Sequence, residues 1–252
     1  MVEKFEIKSH DGPGRLGRLG DIQTPAIFNE KEIENILADD EQTAYNIERE
    51  IAEWGGVRRT IKKAENEKNQ NPNSKIAVIQ GSKYVDLRIE CGKKLEELGY
   101  NGLIIANGDD LLLHPRDLVN LIVELRKNLK PNTYLIFTFA ECSFIPLLSY
   151  MGIDGFLSGS DEYYSYLNVL TTPTKNYDLE VYKLSEMNQK QIAECNKKTL
   201  DFVASEVREH MKNKTLRNLI EERGVTSPQN ASALRILDKY HQDYLQENTQ
   251  LY

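Results

Sequence analysis

The chain has no segment apolar enough to cross a membrane, and it has few residues suited to disulfides or metal binding. No apolar run among its residues approaches the roughly 18 residues that span a bilayer, and residues 1–5 do not begin an apolar signal region. The three cysteines, Cys91, Cys142 and Cys195, form no C-x-x-C pair, which predicts free or buried thiols. We therefore expect a cytoplasmic protein with no metal site and no cofactor.

The chain also lacks an excess of positive charge. Its formal net charge is -7 and its sequence pI is about 5.3. Proteins that bind nucleic acid on their own usually present a basic face to the phosphates. If this protein acts on nucleic acid, we expect a basic partner to supply much of the affinity.

The chain does contain a regular alternation of strand and helix patterns. An apolar run within residues 75–88 ends at Gln80-Gly81 and is followed by a helical pattern, as expected for a strand buried on both faces of a sheet. This alternation predicts parallel β/α units with right-handed crossovers. The predicted strands are 76–80, 102–106, 134–139 and one within 152–160, and the predicted helices between them are 85–98, 114–129 and 143–151.

Other patterns flank this alternation. We expect a hairpin and a first core strand before it, then two helices, and a group of helices after it. Gly55-Gly56 is expected to interrupt or bend the longer early helix. The predicted segments are hairpin strands 5–8 and 15–19, strand 24–28, helices 30–38 and 41–69, loops 107–110 and 171–184, and helices 188–212, 214–223 and 227–240.

Four stretches of the sequence contain motifs whose order and spacing are characteristic of one protein family. One is VIQGSKYVDLR at 78–88, which is similar to a V-Q-G-G-x-x-x-D-L-R pattern. The others are the opening hairpin with Thr24-Pro25-Ala26, the run GIDGF at 152–156, and the helical segments 216–221 and 234–240. Together they resemble the tRNA-guanine transglycosylase family, in particular its archaeosine branch. The resemblance implies a (β/α)8 barrel that exchanges a guanine in tRNA for a deazaguanine, with one aspartate attacking the ribose and a second assisting.

The chain departs from that family at the catalytic residues. The D-S-G-G-F-Q motif, which carries the second aspartate, is absent, and the nucleophile position falls on Leu157, which cannot attack an anomeric carbon. The family's C-x-C-x-x-C zinc cluster is missing between Leu170 and Cys195, and Ala106-Asn107 replace a Gly-Gly pair. The resemblance therefore implies a member without the usual catalytic aspartates.

The barrel is also expected to be incomplete. About five strands fit the pattern, corresponding to the first and the last four of a barrel. The predicted fold class is α/β, an incomplete TIM-barrel-like (β/α) barrel over residues 1–184 with a C-terminal helical extension over residues 185–252 packed on it. Such a sheet has an exposed edge, so we expect the helix from Glu41 or a partner chain to cover it.

The resemblance and the strand ends indicate candidate site residues. Gln80, Gly81 and Ser82 are candidates for binding a deazaguanine edge through amide and backbone groups, and the alternative is an ordinary turn that needs a glycine. Arg15 and Arg18 of the hairpin are candidate contacts to tRNA phosphates, and the alternative is a charged edge without a ligand.

Two acidic pairs and three tyrosines are further candidates. Asp109-Asp110 could bind a metal or act as a base, and Asp161-Glu162 could replace the lost acid. Both pairs also suit a solvated turn or a helix N-terminus. Tyr163, Tyr164 and Tyr166 could stack on bases, or they could pack under the C-terminal helices.

Three functions remain open. The first is a transglycosylase-like subunit of archaeosine modification of tRNA that has no base-exchange activity itself. Its partners would be tRNA, bound through a separate basic or tRNA-binding subunit, and archaeosine-pathway proteins. The transferase motif P-C-x3-K-P-Y-x2-S of archaeosine synthases is absent, which suits a split enzyme. The second is an active transferase that uses Asp109 or Asp161, and the third is a scaffold with no ligand.

Overall fold

Two sheets organise the fold, one antiparallel and one parallel. The computed structural model describes residues 5–29, 43–184 and 186–248. The first strands along the chain are β1 Phe5–Asp11, β2 Gly14–Leu19, β3 Ile22–Thr24, β4 Ala26–Phe28, β5 Ile76–Ile79, β6 Gly102–Ile105, β7 Tyr134–Phe137 and β8 Gly155–Leu157. Strands β1, β2 and β3 pair antiparallel, which confirms the opening hairpin, and β4 to β8 form the parallel sheet.

The parallel sheet has the strand order β4-β8-β7-β6-β5. The first core strand therefore pairs with the last, as the closing strands of a barrel do, and all neighbours run parallel. Within the described residues the sheet does not close, so β4 and β5 are its edges. This arrangement confirms the prediction of an α/β fold with an incomplete TIM-barrel-like sheet.

Strands β5, β6 and β7 are buried on both faces because each is an unbroken apolar run. Successive side chains of a strand alternate between the two faces. On β5, Ala77 and Ile79 pack among the helices, whereas Ile76 and Val78 pack with Phe5 and Leu19 of the hairpin. The hairpin therefore covers the face of the sheet that would point into a barrel.

Helices cover the other face, and their order follows the predicted alternation. They are α1 Arg49–Ile51, a π-helix Ala52–Arg58, α2 Arg59–Gln70, α3 Val85–Glu97, α4 Gly108–Leu113, α5 Pro115–Asn128, α6 Ile145–Tyr150, α7 Ser160–Tyr166, α8 Leu179–Tyr182, α9 Gln189–Lys212, α10 Leu216–Gly224, α11 Pro228–Tyr240 and α12 Gln242–Asn248. A short hairpin, β9 Val169–Thr171 and β10 Asn176–Asp178, follows α7. No helix in these described ranges is long and apolar enough to cross a membrane.

Helices also lie against both edge strands. Helix α2 packs on β5, as expected for the helix that was predicted to cover an edge, and α9 packs on β4. Helices α9, α10 and α11 pack directly on α7, α6 and α5, respectively. The helical extension therefore contacts the β/α units closely, while the boundary at residue 184 stays a prediction.

Several predicted segments differ from the structure. The helix expected at 41–69 begins only at Arg49, because residues 43–48 run across the strand ends and bury Tyr45 there. Gly55-Gly56 lie inside the π-helix, so this helix is distorted where a bend was predicted. Residues 107–110, predicted as a loop, begin a helix. Residues 171–184, predicted as a loop, contain most of a hairpin whose strands are too short to give a recognisable strand pattern in the sequence. The helix expected at 30–38 lies outside the described residues.

Candidate functional site

The carboxyl ends of the parallel strands meet at one edge of the sheet, where ligands bind in α/β folds. Gln80, Gly81 and Ser82 follow β5 at this edge, and all three are buried. Gly81 has φ +146°, and a Cβ there would lie 2.7 Å from Cγ of Arg88. The glycine is therefore required by the turn, whatever else the segment does.

Arg88 holds the ends of β5 and β6 together. Its Nε donates to the Ser82 carbonyl (2.6 Å), and its Nη1 donates to the Ala106 carbonyl (2.9 Å). Its Nη2 donates to Oδ1 of Asn107 (3.0 Å). Burial lowers the pKa of Arg88 to about 10, so the guanidinium stays charged near neutrality. The arginine of the D-L-R motif therefore has a structural role at this site, which the sequence analysis did not identify.

Residues 43–47, here called the covering segment, lie over the candidate base site. Thr43 Oγ1 donates to Oε1 of Gln80 (2.9 Å), and Ser82 Oγ donates to the Ala44 carbonyl (2.8 Å). Asn107 Nδ2 donates to the Thr43 carbonyl (3.0 Å). The Gln80 Oε1 and the Ser82 hydroxyl, which were predicted to bind a base, are thus engaged by the chain itself.

One donor at this site is left over. Gln80 is 1% exposed, and its Nε2 has no hydrogen-bond partner in the part of the chain that the structure describes. A buried amide without a partner is unfavourable by roughly 1–3 kcal/mol. The covering segment therefore satisfies only half of the Gln80 amide, and a ligand with an acceptor could engage the other half.

Further contacts fix the covering segment at its middle and at its C-terminal end. The Tyr45 hydroxyl donates to Asp117 at the start of α5, and the Tyr84 hydroxyl donates to the Ile47 carbonyl (3.1 Å). The Tyr45 ring also contacts His114, with 4.9 Å between ring centroids. Burial and the Asp117 carboxylate both raise the pKa of Tyr45, so its phenol stays protonated and keeps donating.

Leu157, which the sequence resemblance placed at the nucleophile position, lies at the end of β8. Leu157 is half-buried there and packs with the core under the hairpin. Asp161 is close in sequence, but its Oδ1 accepts from the Gly159 N–H (2.9 Å) at the start of α7. Asp109 is exposed on α4. Among the described ranges, no three His, Cys, Asp or Glu residues are grouped as a metal site.

The two hairpin arginines lie in different environments. Arg15 is buried, and its guanidinium donates to Asp154 and to the carbonyls of Pro131 (2.5 Å) and Thr133 (2.9 Å). These contacts give Arg15 a structural role, and its surroundings lend no support to the predicted phosphate contact. Arg18 is half-exposed beside Asp21 (2.7 Å), so its contact to tRNA stays a prediction.

A separate pocket at the same edge contains a residue that the sequence analysis missed. Glu141, in the loop after β7, lines it together with Tyr163 and Tyr164 of α7. Tyr163 is 53% exposed and Tyr166 is 75% exposed, so these two side chains do not pack under the C-terminal helices. No periodic pattern surrounds Glu141, and only the convergence of several loops places it in a cavity.

Comparison with known proteins gives the family. The family model for queuine tRNA-ribosyltransferase (TGT) matches residues 34–224. An archaeosine synthase of Methanocaldococcus jannaschii is 29% identical over 154 residues, which are 61% of this chain and 25% of that protein. The chain thus matches about a quarter of the length of this relative. Both findings confirm the resemblance drawn from the motifs, and the chain belongs to the queuine tRNA-ribosyltransferase (TGT) family.

Proposed function

We propose that this chain is a transglycosylase-like subunit of archaeosine modification of tRNA, and that it does not exchange the base itself. The observation that carries this proposal is Leu157 at the end of β8, because a leucine has no group that could form a bond to the ribose. The archaeosine synthase relative supports the pathway. A cytoplasmic location, where tRNA is modified, is part of the proposal.

A basic partner is part of the same proposal. The chain carries a net charge of -7, which opposes binding to tRNA phosphates. Arg15 is one of the two hairpin arginines considered for phosphate contact, and its guanidinium is already paired with Asp154. A separate tRNA-binding subunit would supply the missing positive surface, and tRNA would reach this chain through it.

An exchange assay and a pull-down test the proposal together. We expect the isolated chain to incorporate no labelled guanine into tRNA, and we expect a basic tRNA-modifying protein to copurify with it from the native cells. Incorporation by the isolated chain that is lost in Asp109→Asn or Asp161→Asn would instead establish an active transferase. If no basic protein copurifies and the isolated chain binds tRNA directly, the proposed role of the partner is contradicted.

We further propose that Gln80 and Ser82 bind a 7-deazaguanine once the covering segment moves aside. The unpartnered Nε2 of Gln80 supports this idea, since a base could supply an acceptor that the chain does not. We expect cyano-deazaguanine to bind the wild type weakly in calorimetry, and Gln80→Ala to abolish that binding. Asp21→Asn serves as a surface control, since this exposed carboxylate of the hairpin pairs with Arg18 and lies outside the covering segment.

Opening of the covering segment gives a second arm to this test. Thr43→Val removes the hydrogen bond to Gln80 and keeps the shape of the side chain. Because one such bond contributes about 0.5–1.5 kcal/mol, the variant should bind the base roughly 2- to 10-fold more tightly. If neither the wild type nor Thr43→Val binds the base, the site is permanently closed. That result would favour the hypothesis of a scaffold with no ligand. The observation that supports this hypothesis is that Gln80 and Ser82 form hydrogen bonds with the covering segment.

A further inference from the structure

A pocket of about 440 Å³ lies beside the candidate base site and has a different chemistry. Its walls come from α4, the loop after β7, α7, the β9–β10 turn and the start of α11. We call it the acidic-aromatic pocket because its lining combines carboxylates with aromatic rings. The lining residues that carry the argument are Asp109, Asp110, Phe139, Glu141 and Tyr163.

Glu141 is a buried carboxylate that has only neutral donors. It is 8% exposed and accepts from the Tyr164 hydroxyl (2.6 Å) and from Nδ2 of Asn176 (3.2 Å). Ser143 Oγ lies at 3.5 Å. No cation of the described residues pairs with Glu141, although buried charges in proteins are normally paired. The pocket wall therefore contains a carboxylate that has no cationic partner among the described residues.

The pKa values of two neighbouring groups are raised by burial and, to a smaller extent, by the Glu141 carboxylate. Burial, and then the Glu141 charge, raise the pKa of the Cys142 thiol to about 12. The same two causes raise the pKa of the Tyr164 hydroxyl. Both groups stay neutral near pH 7 and add no further charge to the pocket wall. The wall is thus suited to a cation and unsuited to a second anion.

The one lysine among the lining residues, Lys175, contacts tyrosines and forms no ion pair with Glu141. Lys175 Nζ donates to the Tyr182 hydroxyl (3.2 Å). The same ammonium lies 5.0 Å from the centroid of the Tyr182 ring and 5.3 Å from that of Tyr177. Asp109 and Asp110 add two more carboxylates on the α4 side of the pocket. The net charge of the lining is therefore negative.

Aromatic rings form the remaining part of the wall. Phe139, Tyr163 and Tyr164 pack edge to face, with ring centroids 5.6–5.9 Å apart. Exposed aromatic faces attract cations, and a guanidinium stacks on them better than an ammonium because it is planar and weakly hydrated. Guanidinium groups also pair with carboxylates through two parallel N–H donors.

We propose that the acidic-aromatic pocket binds a guanidinium group on an alkyl stem, such as an arginine side chain. Glu141 would receive the guanidinium at the bottom of the pocket, and Asp109 would attract it at the rim. Phe139 and Tyr163 would cover the stem and the planar group. Phosphates are unsuited to this wall. The proposal does not depend on the deazaguanine site.

Calorimetric titration with two probes tests the proposal. The probes are agmatine, which is a free guanidinium amine, and the peptide acetyl-Gly-Arg-Gly-amide. We expect both to bind the intact wild-type chain at low salt, and we expect inorganic phosphate not to bind. Tighter binding of the peptide would identify a protein side chain as the natural occupant, and tighter binding of agmatine would identify a small molecule.

Variants connect the binding to the pocket. Glu141→Gln should weaken both probes by at least about tenfold, since a hydrogen bond to a charged group contributes roughly 1.5–3 kcal/mol. Asp109→Asn and Tyr163→Ala lie on the surface and test the same site if Glu141→Gln does not fold. Asp21→Asn, on the distant hairpin, is the matched control. Binding that is unchanged in Asp109→Asn and Tyr163→Ala, or binding of phosphate instead of the cations, would overturn the proposal.

Discussion

Arg88→Met is expected to lower the free energy of unfolding by about 3–5 kcal/mol, because it leaves several buried carbonyl groups without a donor. Arg88 is fully buried, and it donates to the carbonyls of Ser82 and Ala106 and to Asn107. These acceptors belong to two different strand ends. The methionine fills most of the space but donates nothing, so the loss reflects hydrogen bonding rather than a cavity.

Urea unfolding followed by circular dichroism measures this loss. Arg58→Met is the matched control, because Arg58 is half-exposed and, within the described ranges, its ion pairs are with Glu53 and Glu90 at 3.3–3.4 Å. We expect that control to change the free energy of unfolding by less than about 1 kcal/mol. Arg88→Lys should fall close to Arg88→Met, since an ammonium cannot reach the separate carbonyls that the guanidinium spans. Equal stability of Arg88→Met and Arg58→Met would refute the role assigned to Arg88.

The strand ends illustrate what the sequence could predict and what it could not. Apolar runs and turn residues were sufficient to locate β5, β6 and β7, because a strand buried on both faces has a local pattern. The role of Arg88 was not predictable from that pattern. It depends on acceptors that lie 6 to 19 residues away in the sequence and meet only in the fold.

The covering segment shows how a helical periodicity can predict the wrong start of a helix. Tyr45, Ile47, Ile51 and Trp54 have the spacing of a buried helical stripe, which predicted a helix from Glu41. In the structure Tyr45 is buried over the strand ends, whereas Ile51 and Trp54 are exposed. Tertiary hydrogen bonds at Thr43 and Ala44 outweigh the weak local preference for a helix.

The two proposed sites differ in how far the sequence could indicate them. Gln80 and Ser82 belong to a motif with fixed spacing, so the residues could be identified even though their covering could not. Glu141 belongs to no motif, and its partners Tyr164 and Asn176 lie 23 and 35 residues further along the chain. A site built from separate loops leaves no periodic signal. Only the three-dimensional structure brings it together.

Asp154→Asn is expected to destabilise the protein by about 3–5 kcal/mol, because it leaves two buried arginines without an anion. Asp154 is 1% exposed and accepts from Arg15 of β2, from Arg126 of α5 and from the Leu135 N–H (2.8 Å). It therefore joins the hairpin and α5 to β7 and to the start of β8. Burial, and then repulsion from Arg15, lower the pKa of Arg126 to about 10, so this guanidinium depends on Asp154 for its charge balance.

The asparagine preserves the size of the side chain, so the loss can be assigned to charge. Its amide also turns two N–H donors toward arginines and a backbone N–H that need acceptors. We expect the midpoint of urea unfolding to fall sharply for Asp154→Asn and to stay unchanged for Asp21→Asn, a surface carboxylate that also contacts a hairpin arginine. Combining Asp154→Asn with Arg15→Met should restore part of the stability, because one unpaired cation is removed. If the double variant is as unstable as the sum of the two single variants, the charge balance is not what Asp154 supplies, and its bond to the Leu135 N–H must account for the loss.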